Sequence, residues 1–219
     1  MITSNILQRV FFVKYEKYKG TAFTYERDKT QYLVSVSHTF PYLNNEQEIT
    51  YSIFQNNKWT ELKGTIYKHP SPNADVVMIS LSSYISPLHP IEYSVKGLSL
   101  SGDAYFLGFP YGKYMEDYNN LNNGYPLPFV KRALISTLDV KKEDIPVIYL
   151  DGMNNPGFSG GPCVFKKPNS NDLVVFGVIK GYMPNIVKVN SPFGEFEYTE
   201  NSGIIEVHSI NLLNGIKVK

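Results

Sequence analysis

The chain is short of several things, and each shortage narrows what it can be. Its 219 residues include one cysteine, Cys163. No internal disulfide can form, and the chain reads as one built for a reducing compartment. No apolar run approaches the roughly 20 residues that a membrane span needs. No basic N-terminal stretch leads into a long apolar one, so no signal peptide is visible, and Asn-x-Ser/Thr sequons are absent. These absences predict a cytoplasmic protein with no membrane partner. Charge of one sign is lacking too: 21 basic and 20 acidic side chains leave a formal net charge of +1. With no Lys/Arg stripe interleaved with aromatics, nucleic acid is not an expected partner. Sustained 3.6-residue periodicity is missing outside a short stretch near 210–216.

Strands, by contrast, are plentiful. Seventeen tyrosines and thirteen phenylalanines sit among valine, isoleucine and threonine, a mixture that favours extended structure. Strand-like runs recur at about 9–15, 20–26, 31–37, 48–54, 59–69 and 75–81. A proline-bearing connector at 82–101 follows, and runs resume at 103–109, 130–138, 147–150, 162–165, 173–181, 195–199 and 203–207. Strands of this length and spacing predict an all-β antiparallel sandwich or barrels, in two halves of about six strands each. The asparagine-rich tract 111–128 is long for a plain turn, and loops of that kind are functional or mobile.

The chemistry is concentrated at Gly157-Phe158-Ser159-Gly160-Gly161-Pro162. Glycines around a serine let the backbone turn tightly and expose its own N–H groups, which suits a nucleophilic hydroxyl beside an oxyanion pocket. Such a serine needs a base, and the base needs an acceptor that fixes its tautomer. Of the four histidines, His38 is best situated, closing the strand Tyr32-Leu33-Val34-Ser35-Val36-Ser37-His38. Asp75 opens another, Asp75-Val76-Val77-Met78-Ile79-Ser80-Leu81. Taken singly, each residue is more often structural than catalytic. Taken in order, they form a pattern.

That pattern resembles a trypsin-like (chymotrypsin-fold) serine peptidase of the compact bacterial type. Gly20-Thr21-Ala22-Phe23 with the strand ending at His38 is similar to the family's histidine segment. Asn73-Ala74-Asp75-Val76-Val77 is similar to its aspartate segment, and the Ser159 motif to its nucleophile signature, in the order His, Asp, Ser. The spacings are 37 residues (38 to 75) and 84 (75 to 159). The resemblance runs from about Gly20 to Val207. It implies two packed six-stranded antiparallel β-barrels with the active site between them, residues 1–95 carrying His38 and Asp75 and 96–219 carrying Ser159, together one peptidase domain. It implies a serine endopeptidase acting through an acyl-enzyme, with Ser159 as nucleophile, His38 as base and Asp75 as orienting carboxylate. The N–H groups of Gly157 and Ser159 would form the oxyanion hole. Its partner would be a protein or peptide substrate, and no cofactor or metal is implied.

Two positions depart from the family. Phe158 stands where many secreted relatives have an aspartate that receives a newly cut N-terminal amine, so activation by such a cut is not expected. Either the oxyanion hole is preformed, or something else orders 153–158. Met153, six residues before the nucleophile, lacks the charge expected of an enzyme cutting after Arg or Lys. A neutral, partly apolar specificity pocket follows, with Lys180, Gly181 and Tyr182 as walls. Competing motifs fail: Gly108–Lys113 is one residue short of a phosphate-binding loop, Cys163 reads as core, and no metal-ligand spacing occurs. Two rivals stay open. One is a protease-like binding or regulatory module, inactive until a regulatory protein partner orders the active-site loop. The other is an esterase using the same trio.

Overall fold

Alternating and continuous apolar runs set out strand after strand, and the computed structural model, which describes residues 2–117, 120–138, 140–192 and 194–219, closes them into two rings. The first consists of β1 (Val10–Tyr15), β2 (Tyr18–Arg27), β3 (Thr30–Ser35), β4 (Gln47–Gln55), β5 (Lys58–Lys68) and β6 (Val77–Ser80). They join edge to edge in the order β1-β2-β3-β6-β5-β4, and Val13 opposite Ile53 shuts the ring. Phe11, Val13, Ala22, Leu33, Ile53, Ile66, Val77 and Ile79 fill its interior. Their neighbours Val10, Phe12, Phe23, Val34 and Met78 face outward and are buried all the same, sharing a second cluster with Leu107, Phe109, Val164 and Val178 of the other half. Burial on both faces explains why Val10-Phe11-Phe12-Val13 is continuously apolar instead of alternating.

Beyond a connector that holds the two-residue β7 (Glu92–Tyr93), the second ring is built from β8 (Asp103–Gly108), β9 (Phe129–Ile135), β11 (Ile145–Asp151), β12 (Pro162–Lys166), β13 (Leu173–Ser191) and β14 (Gly194–Ser209). The order is β11-β14-β13-β12-β8-β9, and β9 returns to β11 where Ile135 faces Leu150. The short β10 (Val140–Lys142) lies on β11, and β7 runs parallel to β13. Two six-stranded antiparallel barrels are thus present, as the resemblance implied. The connector is pinned by Arg9, which is 3% exposed, pairs with Glu26 at 2.5 Å, and donates to the carbonyls of Pro87 and His89.

Two expectations need correction, and a third gains detail. The runs at 195–199 and 203–207 are one strand, β14, and the run at 173–181 continues to Ser191. Together they project a ribbon on which Ile186, Val189, Phe196 and Tyr198 are all exposed. A ribbon outside the core has no buried face, so its sequence carries no periodic signal. The stretch near 210–216 is a 3₁₀ helix, Ile210–Gly215, fixed by buried Ile210, Leu212 and Leu213. The tract 111–128, apart from Tyr118 and Asn119, which lie outside the described residues, docks on the first barrel. There Gln55 donates to the Asn123 carbonyl and the Asn56 N–H to that of Gly124. No helix among the described residues is long and apolar enough to cross a membrane.

Candidate active site

His38 and Asp75 both come from the first barrel, just off the ends of rigid strands. β3 stops at Ser35, so His38 sits not in the strand but in a single 3₁₀ turn, Ser37–Thr39, that follows it. Asp75 lies two residues before β6, between buried Ala74 and Val76. His38 uses both carboxylate oxygens. Its main-chain N–H donates to Oδ1 at 3.0 Å, and its ring Nδ1 pairs with Oδ2 at 2.6 Å. A carboxylate can only accept, so the neutral ring carries its proton on Nδ1 and leaves Nε2 as a lone-pair base. Burial alone would raise the Asp75 pKa, but the hydrogen bonds and charge of His38, with a smaller contribution from His208, outweigh it and hold the carboxyl below its ordinary value.

Behind Asp75 stands a residue that sequence reading passed over. His208, on β14 of the second barrel and 1% exposed, accepts the Asp75 N–H on Nε2 at 3.2 Å. Burial pushes its pKa down to about 4; Asp75 and Glu206 pull it up, while Lys180 and Lys142 push it further down. The unfolded chain takes this proton near 6.5, so between about pH 6.5 and 4 it binds more protons than the folded one. Stability is therefore whole above that interval and falls as pH drops through it, by about 3 kcal/mol in all. Denaturant midpoints measured at pH 7.5 and 4.5 should separate by most of that amount. His208→Gln, which keeps an acceptor but does not titrate, should flatten the difference. Parallel curves for the two proteins would dispose of this account.

The nucleophile loop comes from the second barrel, and the hydrogen bonds of its carbonyls define its shape. Met153 O accepts from Lys131 Nζ and Asn154 O from Asn201 Nδ2. Asn155 O accepts from the Phe158 N–H, Pro156 O from the Tyr111 N–H at 2.8 Å, and Phe158 O from the Gly161 N–H at 2.8 Å. Thr21, on β2 of the first barrel, takes the last two: its hydroxyl donates to Gly157 O at 2.7 Å and its N–H to Ser159 O at 3.0 Å. All seven carbonyls from 153 to 159 are thus engaged. In a trans peptide the N–H points opposite to the C=O. The Pro156–Gly157 unit, held by Tyr111, therefore turns the Gly157 N–H away from that contact, and the Phe158–Ser159 unit does the same for the Ser159 N–H. Neither N–H has a hydrogen-bond partner among the described residues. Gly157 has φ +106°, and a Cβ there would lie 2.3 Å from Phe109 O, so only glycine fits.

Ser159 and His38 share a cleft of about 290 Å3, lined also by Asn154, Asn155, Pro156, Lys180, Gly181 and Tyr182. His38, Asp75, Gly157 and Ser159 are thus brought together, although Ser159 Oγ has no hydrogen-bond partner among the described residues. Such contacts often tighten only with substrate. Lys180, Gly181 and Tyr182 line the cleft. Met153, half exposed, is not among its lining residues; Asn154 to Pro156 take that place. Lys180 is paired at 2.8 Å with buried Glu206, a carboxylate it shares with Lys142 at 3.1 Å. Thr21, Tyr111 and Lys131 act through hydrogen bonds to a distant loop, and His208 does so across the barrel seam. Thr21 alone gave a signal, its place in the histidine segment.

No protein-family model and no curated protein sequence matches the chain. Solved structures do. An HtrA-type protease, AlgW with tripeptide, aligns at TM-score 0.63 and 17% identity over 95% of this chain, which spans only 58% of that one. The Rv3671c protease from M. tuberculosis in its active form aligns at TM-score 0.61 and 18% identity, covering 96% of this chain and 79% of the other. The MamO protease domain from Magnetospirillum magneticum aligns at 0.55 and 12%, over 96% of both. At such identities the likeness is one of architecture: the chain has the chymotrypsin-like two-barrel fold found in these proteases.

Proposed function

We propose that this chain is a serine endopeptidase that cleaves peptide bonds through an acyl-enzyme. Ser159 Oγ attacks the carbonyl carbon while His38 Nε2 takes its proton. Asp75 holds the imidazole and stabilises its charged form, and His38 then returns the proton to the leaving amine. The N–H groups of Gly157 and Ser159 receive the developing oxyanion. One observation carries the reading: the His38–Asp75 pair lies across a cleft from a serine whose loop turns every carbonyl aside and leaves two N–H groups unclaimed. The cleft's lining includes no carboxylate among the described residues, which disfavours a basic residue before the cut.

Incubation with an active-serine phosphonate probe, followed by mass spectrometry, should give a single adduct on Ser159 and none in Ser159→Ala, whose peptide turnover should fall to background. An unlabelled wild-type protein, or a Ser159→Ala variant that still cleaves, would end the proposal. The second reading, a protease-like module that waits for a partner, draws on the unpaired Ser159 Oγ. Under it the purified protein labels only after a partner is added.

A further inference from the structure

We infer that Lys131 is a positioning residue whose ammonium assembles the oxyanion-binding loop from within the chain, so that the hole stands ready without a partner. The inference rests on the peptidase reading above and concerns how that same site is held. Lys131 lies on β9, two residues after its first residue, Phe129, and 28 positions before Ser159. Its Nζ donates to the Met153 carbonyl at the loop's start and to Asn155 Oδ1, 3.1 Å away, in its middle. It also lies 5.9 Å from the ring centre of Phe158, the residue just before the nucleophile. One cation thus touches the loop at three points along its length.

The hold is passed on through Asn155. The amide that accepts from Lys131 donates through Nδ2 to Tyr111 Oη at 3.4 Å, and the Tyr111 N–H holds the Pro156 carbonyl. That peptide unit carries the Gly157 N–H. Tyr111 itself adopts φ +53°, a costly backbone state for a non-glycine residue that persists only when its surroundings impose it. Phe158 supplies the fixed wall: it is fully buried and packs edge-on against Phe106 at 4.9 Å. Burial lowers the Lys131 pKa, as expected of a head group drawn partly out of water. An ammonium with two oxygen acceptors and an aromatic face is satisfied by the loop in this conformation; a loop that swings out leaves it unpaired.

The test compares wild-type, Lys131→Met and Lys131→Arg proteins, each purified alone, on one chromogenic peptide and with the matching peptide aldehyde as transition-state mimic. Lys131→Met should lower kcat on the order of 10- to 100-fold, the scale of misplacing a reacting group by about an ångström. KM should stay within about twofold, and aldehyde binding should weaken in step with kcat. Lys131→Arg, which keeps a cation and several donors, should recover most of the loss. A Lys131→Met protein that keeps wild-type kcat would overturn the inference while leaving the peptidase reading intact. So would a loss that appears equally in KM, or that arginine fails to restore. Should Lys131→Met not fold, Asn155→Ala, in the loop itself, should show the same kcat-only loss, and an unchanged kcat there would likewise refute the inference. A wild-type protein inactive on peptides and unlabelled by the phosphonate would sink both readings together.

Discussion

Asp75→Asn is expected to lower kcat on peptide substrates about 10⁴-fold with the fold intact. The size follows from a single proton. In the native protein, Oδ1 receives the His38 main-chain N–H and Oδ2 the ring Nδ1–H. Asparagine can keep only one of these as an acceptor. With its oxygen on the main-chain N–H, its NH₂ group faces Nδ1, which must then accept, and the ring proton moves to Nε2. A ring protonated there cannot take the proton of Ser159. At 1.36 kcal/mol per tenfold change, the loss is about 5 kcal/mol of transition-state stabilisation. Stability at neutral pH should fall only modestly: the amide forgoes the gain that comes from the lowered Asp75 pKa in the folded protein, while the His38 side of the pair is half exposed. Steady-state kinetics with a thermal melt would check both halves of the statement. A kcat within tenfold of wild type would remove Asp75 from the orienting role.

What was legible in the sequence divides by the range of the interaction. His38, Asp75 and Ser159 could be singled out as candidates because each lies in a short segment whose local chemistry is distinctive: a charged or nucleophilic side chain at a strand end or in a glycine turn. The barrels could be found because period-two burial is written into each strand separately. What holds the site was not legible, since its parts are far apart along the chain. Thr21 engages Gly157 and Ser159 from 136 and 138 positions away, and His208 meets Asp75 across 133. Nothing in a buried histidine's neighbours, Val207 and Ser209, marks it as a support for another residue's backbone. Phe158 is instructive in the other direction. Its identity ruled out one way of ordering the loop, and only the fold shows that Lys131, Tyr111 and Thr21 engage the same loop from several elements.

Gly160→Ala should be a severely damaging substitution. Gly160 has φ +84°, and a Cβ there would sit 2.1 Å from the Thr21 carbonyl oxygen and 2.4 Å from Ser35 Oγ. The left-handed conformation alone costs an alanine about 1–2 kcal/mol, and forcing atoms into filled space adds about 1–3 more. The clash falls where the barrels are joined. Thr21 gives its N–H to Ser159 O and its hydroxyl to Gly157 O, its carbonyl accepts from Ser35 Oγ, and the Gly160 N–H holds Ile179 O at 2.8 Å. Moving Thr21 aside to admit the methyl strains the three bonds that Thr21 makes, and moving Gly160 instead strains the fourth. A destabilisation of about 2–5 kcal/mol by chemical denaturation is expected, with peptide turnover lost even in the fraction that folds. Adding Ser35→Ala should relieve one of the two contacts and recover only part of the stability, because the other partner is backbone. A Gly160→Ala protein within 1 kcal/mol of wild type would mean that the nucleophile turn is not wedged between the barrels. Its geometry would then have to be set by the second barrel alone.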